Sequence, residues 1–301
     1  MNKMFTAATL LVLSPLLVPD DVSAAELTLR VYPSPVGVNW SSPRKLAWSV
    51  VVNTLAPSPF ERKHAIGHVS VELQCEGLRP RIYAGATSAD STTERRLLLR
   101  DQLGLGILFY TFDGKTDGPA EIIPDWEERR QKGHGSWVTF VIGNETCLRL
   151  ERYHDEYVER GVGARYGLPH RPRHGEGAGC SAFAVSFLEL AGILDEEFQN
   201  AWSGEVRVPS KWIGGPSRRV NLASLLFRPS AWSWAEEDEA HVPIAFWDPD
   251  MMHRWIVRKW KAEQRDPSEG VTPGVERKTR GLIFDRTSIP TPTDPIWETT
   301  P

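Results

Sequence analysis

Apolar and polar positions alternate without a break from His68. Val69, Val71, Leu73 and Cys75 share one face, and His68, Ser70, Glu72 and Gln74 share the other. A period of two over that length predicts a strand buried on one side only, which leaves His68 on an open polar face. "LTLRVY" (27–32), "LAWSVVVNTL" (46–55) and "SWVTFVI" (136–142) also read as strands, "RIYAGAT" (81–87) as a partner strand, and "GILFYTF" (106–112) as a buried one. A period near 3.6 appears in three places. "STTERRLLLRDQLG" has the capping-box spacing of Ser91 and Glu94 and a stop at Gly104. "ETCLRLERYHDEYVERG" follows Asn144 as its cap, with Leu150, Tyr153 and Tyr157 on one face. "WDPDMMHRWIVRKWKAEQ" opens with Asp248 as N-cap and Pro249 at the first helical position. From Cys180 to Ala191 the chain is apolar all round, as in a helix at the centre of a fold. The stretch from Asp113 to Gly135 is dense in charge, Gly and Pro and reads as a surface loop.

Strands mixed with helices predict an α+β fold. The first residues are of another kind. A basic Lys3, the apolar "MFTAATLLVLSPLLV" and the small residues "VSA" before Ala25 have the pattern of a secretory leader. The organisation expected is a signal peptide over 1–24, one domain over 25–265, and a tail over 266–301 that is extended or partly disordered because Pro, Thr, Ser and charge dominate it. No later apolar run is long enough to span a bilayer, so a soluble, exported protein is expected, periplasmic or secreted. The net charge of −4, with both signs interspersed, leaves no nucleic-acid footprint.

Export changes the reading of the three cysteines. An oxidising compartment favours a disulfide, and an odd count leaves one thiol over. Cys75 and Cys147 are expected to be bonded or both buried. Cys180 then remains free, at a helix N-terminus behind Gly175, Gly177 and Gly179. Unpaired N–H groups and the helix dipole there favour a thiolate and can hold an oxyanion, so Cys180 is expected to be a reactive thiol. A nucleophile of this kind needs a base, and His68 beside Gly67 is the best placed of the eight histidines.

"GHVSVEL", followed far downstream by "YGLPHRPRHGEGAGCSAFAVSFLELAGI", resembles the circularly permuted papain-like hydrolases related to the NlpC peptidases. The likeness covers roughly residues 45–195. It implies a permuted papain-like fold, with an antiparallel sheet packed against the central helix that carries Cys180. It also implies Cys180 as nucleophile, His68 as base and Gly179 in the oxyanion loop. The family usually adds a polar residue that orients the imidazole, often on the strand after the histidine. That strand offers no Asp, Asn or Glu, only Tyr83, Thr87 or Ser88, of which Tyr83 is the candidate. Glu72 shares the His68 face, but about 13 Å along the strand.

The function expected is an exported thiol hydrolase, a peptidase or amidase acting on peptide or cell-wall fragments without a cofactor. Two alternatives use the same fold: a non-catalytic envelope binding protein, and an acyltransferase or thioesterase on lipid-like esters. No metal is expected, because His170, His174 and Glu176 lie in an irregular loop with no standard ligand spacing. Most of the 12 Trp are expected to pack helices, with Trp202, Trp212, Trp232 and Trp234 as candidates to line a groove.

Overall fold

The computed structural model describes residues 25–77 and 79–298; the leader expected over 1–24 lies outside them. The chain opens with strand β1 (Ala25–Tyr32) and helix α1 (Pro43–Leu55). The Val-rich α1 was expected as a strand. The Ser42 hydroxyl accepts from the Lys45 N–H and Pro43 stands in the first turn, and these helix-start signals prevail over β-propensity. Strands β2 (His68–Gln74) and β3 (Ile82–Ser88) follow, then α2 (Ser91–Leu99), capped by Asp90 rather than by Ser91. The segment expected as a buried strand is a 3-10 turn over Leu105–Phe109, leading into β4 (Phe112–Asp117).

Helix α3 (Pro119–Lys132) occupies the stretch expected as a surface loop. Glu121 accepts from the Gly118 N–H at its start, and Gly133 ends it in a left-handed conformation. Next come β5 (Ser136–Ile142), α4 (Asn144–Glu159), the two-residue β6 (Arg165–Tyr166), α5 (Cys180–Leu190) and α6 (Glu196–Trp202). Strand β7 (Ser203–Pro209), α7 (Leu222–Phe227), β8 (His241–Trp247), α8 (Pro249–Glu263), β9 (Val271–Glu276) and β10 (Thr279–Asp285) complete the chain.

The protein is α+β. Its main sheet has the order β6-β4-β3-β2-β1-β5-β10-β9. The sheet is mixed rather than antiparallel throughout, because β10 runs parallel to β5. The stretch expected as a tail therefore supplies two strands of the main sheet. Strands β7 and β8 form a separate hairpin.

Alternation along the central strands divides the sheet into two faces. On one, Leu27, Leu29, Val31, Val69, Val71 and Leu73 join Ala84, Ala86 and Phe140 in a core with Tyr153 and Tyr157 of α4, Phe183 and Phe187 of α5 and Trp255 of α8. Cys75 and Cys147 form a disulfide that ties the end of β2 to the first turn of α4. On the other face Tyr32 and Trp137 meet Trp126 of α3 in a smaller apolar group. Around it lie polar pairs such as Arg30–Glu72 and Thr28–Thr139. A third cluster joins α1 and α7 to the β7–β8 hairpin through Leu46, Leu225, Val208 and Phe246.

Candidate active site

Helix α5 begins at Cys180, with Gly179 as an N-cap that offers no side-chain hydrogen bond. The first N–H groups of the helix are thus left for other partners. Glycine is required in the lead-in: a Cβ on Gly177, at φ +107°, would lie 2.4 Å from the Arg165 carbonyl oxygen. A Cβ on Gly179 would lie 3.3 Å from the Gly167 carbonyl oxygen, so the Cys180 loop is packed closely along residues 165–168.

Cys180 is the free cysteine, and it is buried at 6 % exposure. Its sulfur lies 3.8 Å from Ser181 Oγ. The Val69 N–H and the Tyr166 hydroxyl also face it. The same hydroxyl also faces the Cys180 backbone N–H. Burial pushes the thiol above its ordinary value of 9.0, against the pull of the Val69 N–H, Ser181 and Tyr166. The reactive, accessible thiol expected from the sequence is therefore a protected one. Tyr166, which opens the "YGL" segment of the resemblance and was expected to carry no role of its own, stands at the sulfur because β6 hydrogen-bonds to β4 in the Phe112–Tyr166 register.

The Val69 N–H is available for a structural reason. Strand β3 is shared in halves: Ile82–Ala84 pair with β2, and Gly85–Ser88 pair with β4. The β2–β3 ladder begins at Val71, so Val69, the next residue on that edge, has no β3 partner.

His68 lies on the other face of β2. It is 4 % exposed rather than open to solvent, because α3 covers a face that the sequence left uncovered. Its ring packs against Tyr32 and stacks on His64, with centroids 5.7 and 4.5 Å away. Burial, and then the positive charges of His64, Arg62 and Arg129, hold its pKa well below 6.5. Nε2 lies 3.4 Å from where a Gly85 Cβ would be, so the ring leans over the residue at which β3 changes partner. Cys180 and His68 thus approach the same break in the ladder from opposite faces of the sheet. Among the described residues no hydrogen bond joins them.

Tyr83, the candidate orienting residue, sits opposite Glu72 in the β2–β3 register, four positions along the strand from His68. Its hydroxyl interacts with Arg81. The ring nearest the imidazole is His64, in the turn before β2. His64 Nε2 is 2.8 Å from Asp125 Oδ2 on α3, and Arg129 Nε donates to Asp125 Oδ1 at 2.8 Å. Burial works to raise the Asp125 pKa, but His64 and Arg129 together hold it below its usual value. A His-x-x-x-His spacing, "HAIGH", was the only signal of this pair in the sequence.

The remaining candidates are dispersed. His170 meets Thr111, His174 meets Glu298, and Glu176 is held by Arg171. Among the described residues no three His, Cys, Asp or Glu side chains form a group able to hold a metal ion. Trp202 and Trp212 are buried in different cores, Trp234 is half-buried, and Trp232 is exposed, so these four do not line one groove. No described helix is long and apolar enough to cross a membrane. No family model matches the chain, and no curated protein or solved structure matches it either.

Proposed function

We propose that the chain is an exported thiol hydrolase, a peptidase or amidase of permuted papain-like construction that cleaves amide bonds of the cell envelope. The observation that carries this reading is the placement of the Tyr166 hydroxyl beside both the Cys180 sulfur and the Cys180 N–H. A nucleophile and two donors for the oxyanion it generates are thereby grouped at an uncapped helix N-terminus. The Cys75–Cys147 disulfide supports an oxidising compartment.

With the thiol raised and the imidazole depressed, the resting pair is neutral rather than an ion pair. His68 accordingly acts as a general base at the moment of attack. The Cys180 sulfur bonds to the carbonyl carbon as its proton passes to the imidazole, and the Cys180 N–H and Tyr166 hydroxyl hold the oxyanion. The imidazolium then protonates the leaving amine, and water, deprotonated by the same ring, hydrolyses the thioester. Gly179 serves by letting the loop lie close to residues 165–168. Tyr83 has no part in this scheme.

One observation favours a second reading, a binding protein on the same fold: His68 is stacked on His64 rather than hydrogen-bonded to Cys180. Incubation with peptides cut from cell-wall material separates the two. The hydrolase reading expects amine release by the native chain, none by Cys180→Ala, and a thioester trapped at Cys180 on acid quenching. Retained peptide affinity with no amine release from the native chain would establish the binding role instead.

A further inference from the structure

His64 and His68 are held face to face. Their centroids are 4.5 Å apart and their planes 8° from parallel. Two buried imidazoles at that distance repel each other when both are protonated, so the pair takes up its protons in two separated steps. The partners decide which ring takes the first. His64 has a carboxylate, Asp125, at 2.8 Å. Asp125 is in turn fixed by Arg129, which also donates to the Arg62 carbonyl at 2.7 Å. The charged groups facing His68 are His64 itself, Arg62 and Arg129, all of which oppose a proton there. Tyr32, from β1, lies against both rings at 5.5 and 5.7 Å and closes the remaining side.

We propose that His64, anchored by Asp125, is the positioning residue of this site: it fixes the plane of the His68 ring and takes the first proton of the pair as pH falls, which keeps His68 neutral, and able to accept a proton, to lower pH. The role rests on the thiol-hydrolase reading for its use, because only a neutral His68 can receive the Cys180 proton. The stack also directs the ring edge. Nε2 is held over Gly85, where the absence of a side chain leaves room beside the break in the β2–β3 ladder. The orienting group thus comes from the turn before the histidine strand and from α3, not from the strand after it.

The test is a histidine NMR titration of the full chain with ring-labelled His, in the native protein and in His64→Phe and His64→Gln. Phenylalanine keeps a stacked ring without a charge, and glutamine keeps a donor to Asp125 without one. Circular dichroism checks the fold of each. Removing the neighbouring charge is expected to raise the His68 midpoint by about one pH unit in both variants, a roughly tenfold gain in proton affinity. An unmoved midpoint in the two folded variants would overturn the proposal. Alkylation of Cys180 by iodoacetamide, followed against pH in the same samples, separates this from the hydrolase reading. If the midpoint moves and the alkylation profile moves with it, both stand. A midpoint that moves while the profile stays fixed supports the role of His64 and removes His68 as the base for Cys180.

Discussion

Replacing Cys75 and Cys147 together by alanine tests the framework on which the site is built. The bond spans a sequence separation of 72 residues. In the chain-entropy account, a cross-link over a loop of that length destabilises the unfolded chain by about 4 kcal/mol at 25 °C. Both sulfurs are buried, so truncation also removes packing and adds to the loss. Domains of this kind unfold with only about 5–15 kcal/mol, so the change takes a large share of the total. With a urea dependence near 3 kcal/mol per molar, the midpoint should fall by more than about 1 M. The assay is urea unfolding followed by tryptophan fluorescence, with Cys180 retained in both proteins. A fall of less than about 0.3 M would refute the reasoning, and so would three titratable thiols in the denatured, unreduced native chain.

Tyr166→Phe removes one of the two oxyanion donors and should lower kcat on a peptide amide about 100-fold, with KM little changed; an unchanged kcat would exclude that role. Cys180 should alkylate more slowly than free cysteine at pH 7 and accelerate above pH 9, because burial raises its pKa; a plateau already reached at pH 7 would show a thiolate instead. His64 and His68 have folded pKa values below the unfolded value of 6.5, so the unfolded chain binds protons first. Their contribution to stability is intact above pH 6.5 and is lost as pH falls from there through the folded values. The melting temperature should therefore fall between pH 6.5 and 5, and His68→Gln should fall less over that interval.

What was legible in the sequence follows from where a single pattern decided the outcome. Strands β1, β2 and β5 and helices α5 and α8 have clean periods or clear caps, and they form where expected. Helix α1 did not read as a helix because Val50, Val51 and Val52 suit a strand; its decisive signal was the two-residue start Ser42-Pro43. Helix α3 was hidden because few of its residues are apolar and Pro124 stands inside it, although Ile122 and Trp126 are buried apolar side chains that hold it down. That omission propagated to the site. With α3 taken for a loop, the polar face of β2 reads as open to solvent, and His68 as uncovered. With α3 in place, the same face is a closed compartment that supplies Asp125 and Arg129. Tyr83 failed for a different reason, since its distance from His68 depends on a strand register that composition does not encode.

The chemistry at Cys180 depends on where the β2–β3 ladder stops. Were β3 paired with β2 along its whole length, the next ladder bond would take the Val69 N–H, and the sulfur would be left with Ser181 and Tyr166. Because the β2–β3 ladder stops at the Val71–Ala84 pair, one strand donor is released where α5 begins. The same residue, Gly85, has no side chain to block the break from the His68 side. The two ends of β2 are also fixed. Gly67 enters it at φ +77°, where a Cβ would meet Pro249 at 2.8 Å, and Cys75 leaves it in a disulfide. Position 69 therefore cannot slide to recover a partner, since a shift of one residue would turn Val69, Val71 and Leu73 out of the core. The register that presents the Val69 N–H to the thiol is thus held by the hydrophobic pattern of β2 itself, which is the pattern most plainly written in the sequence.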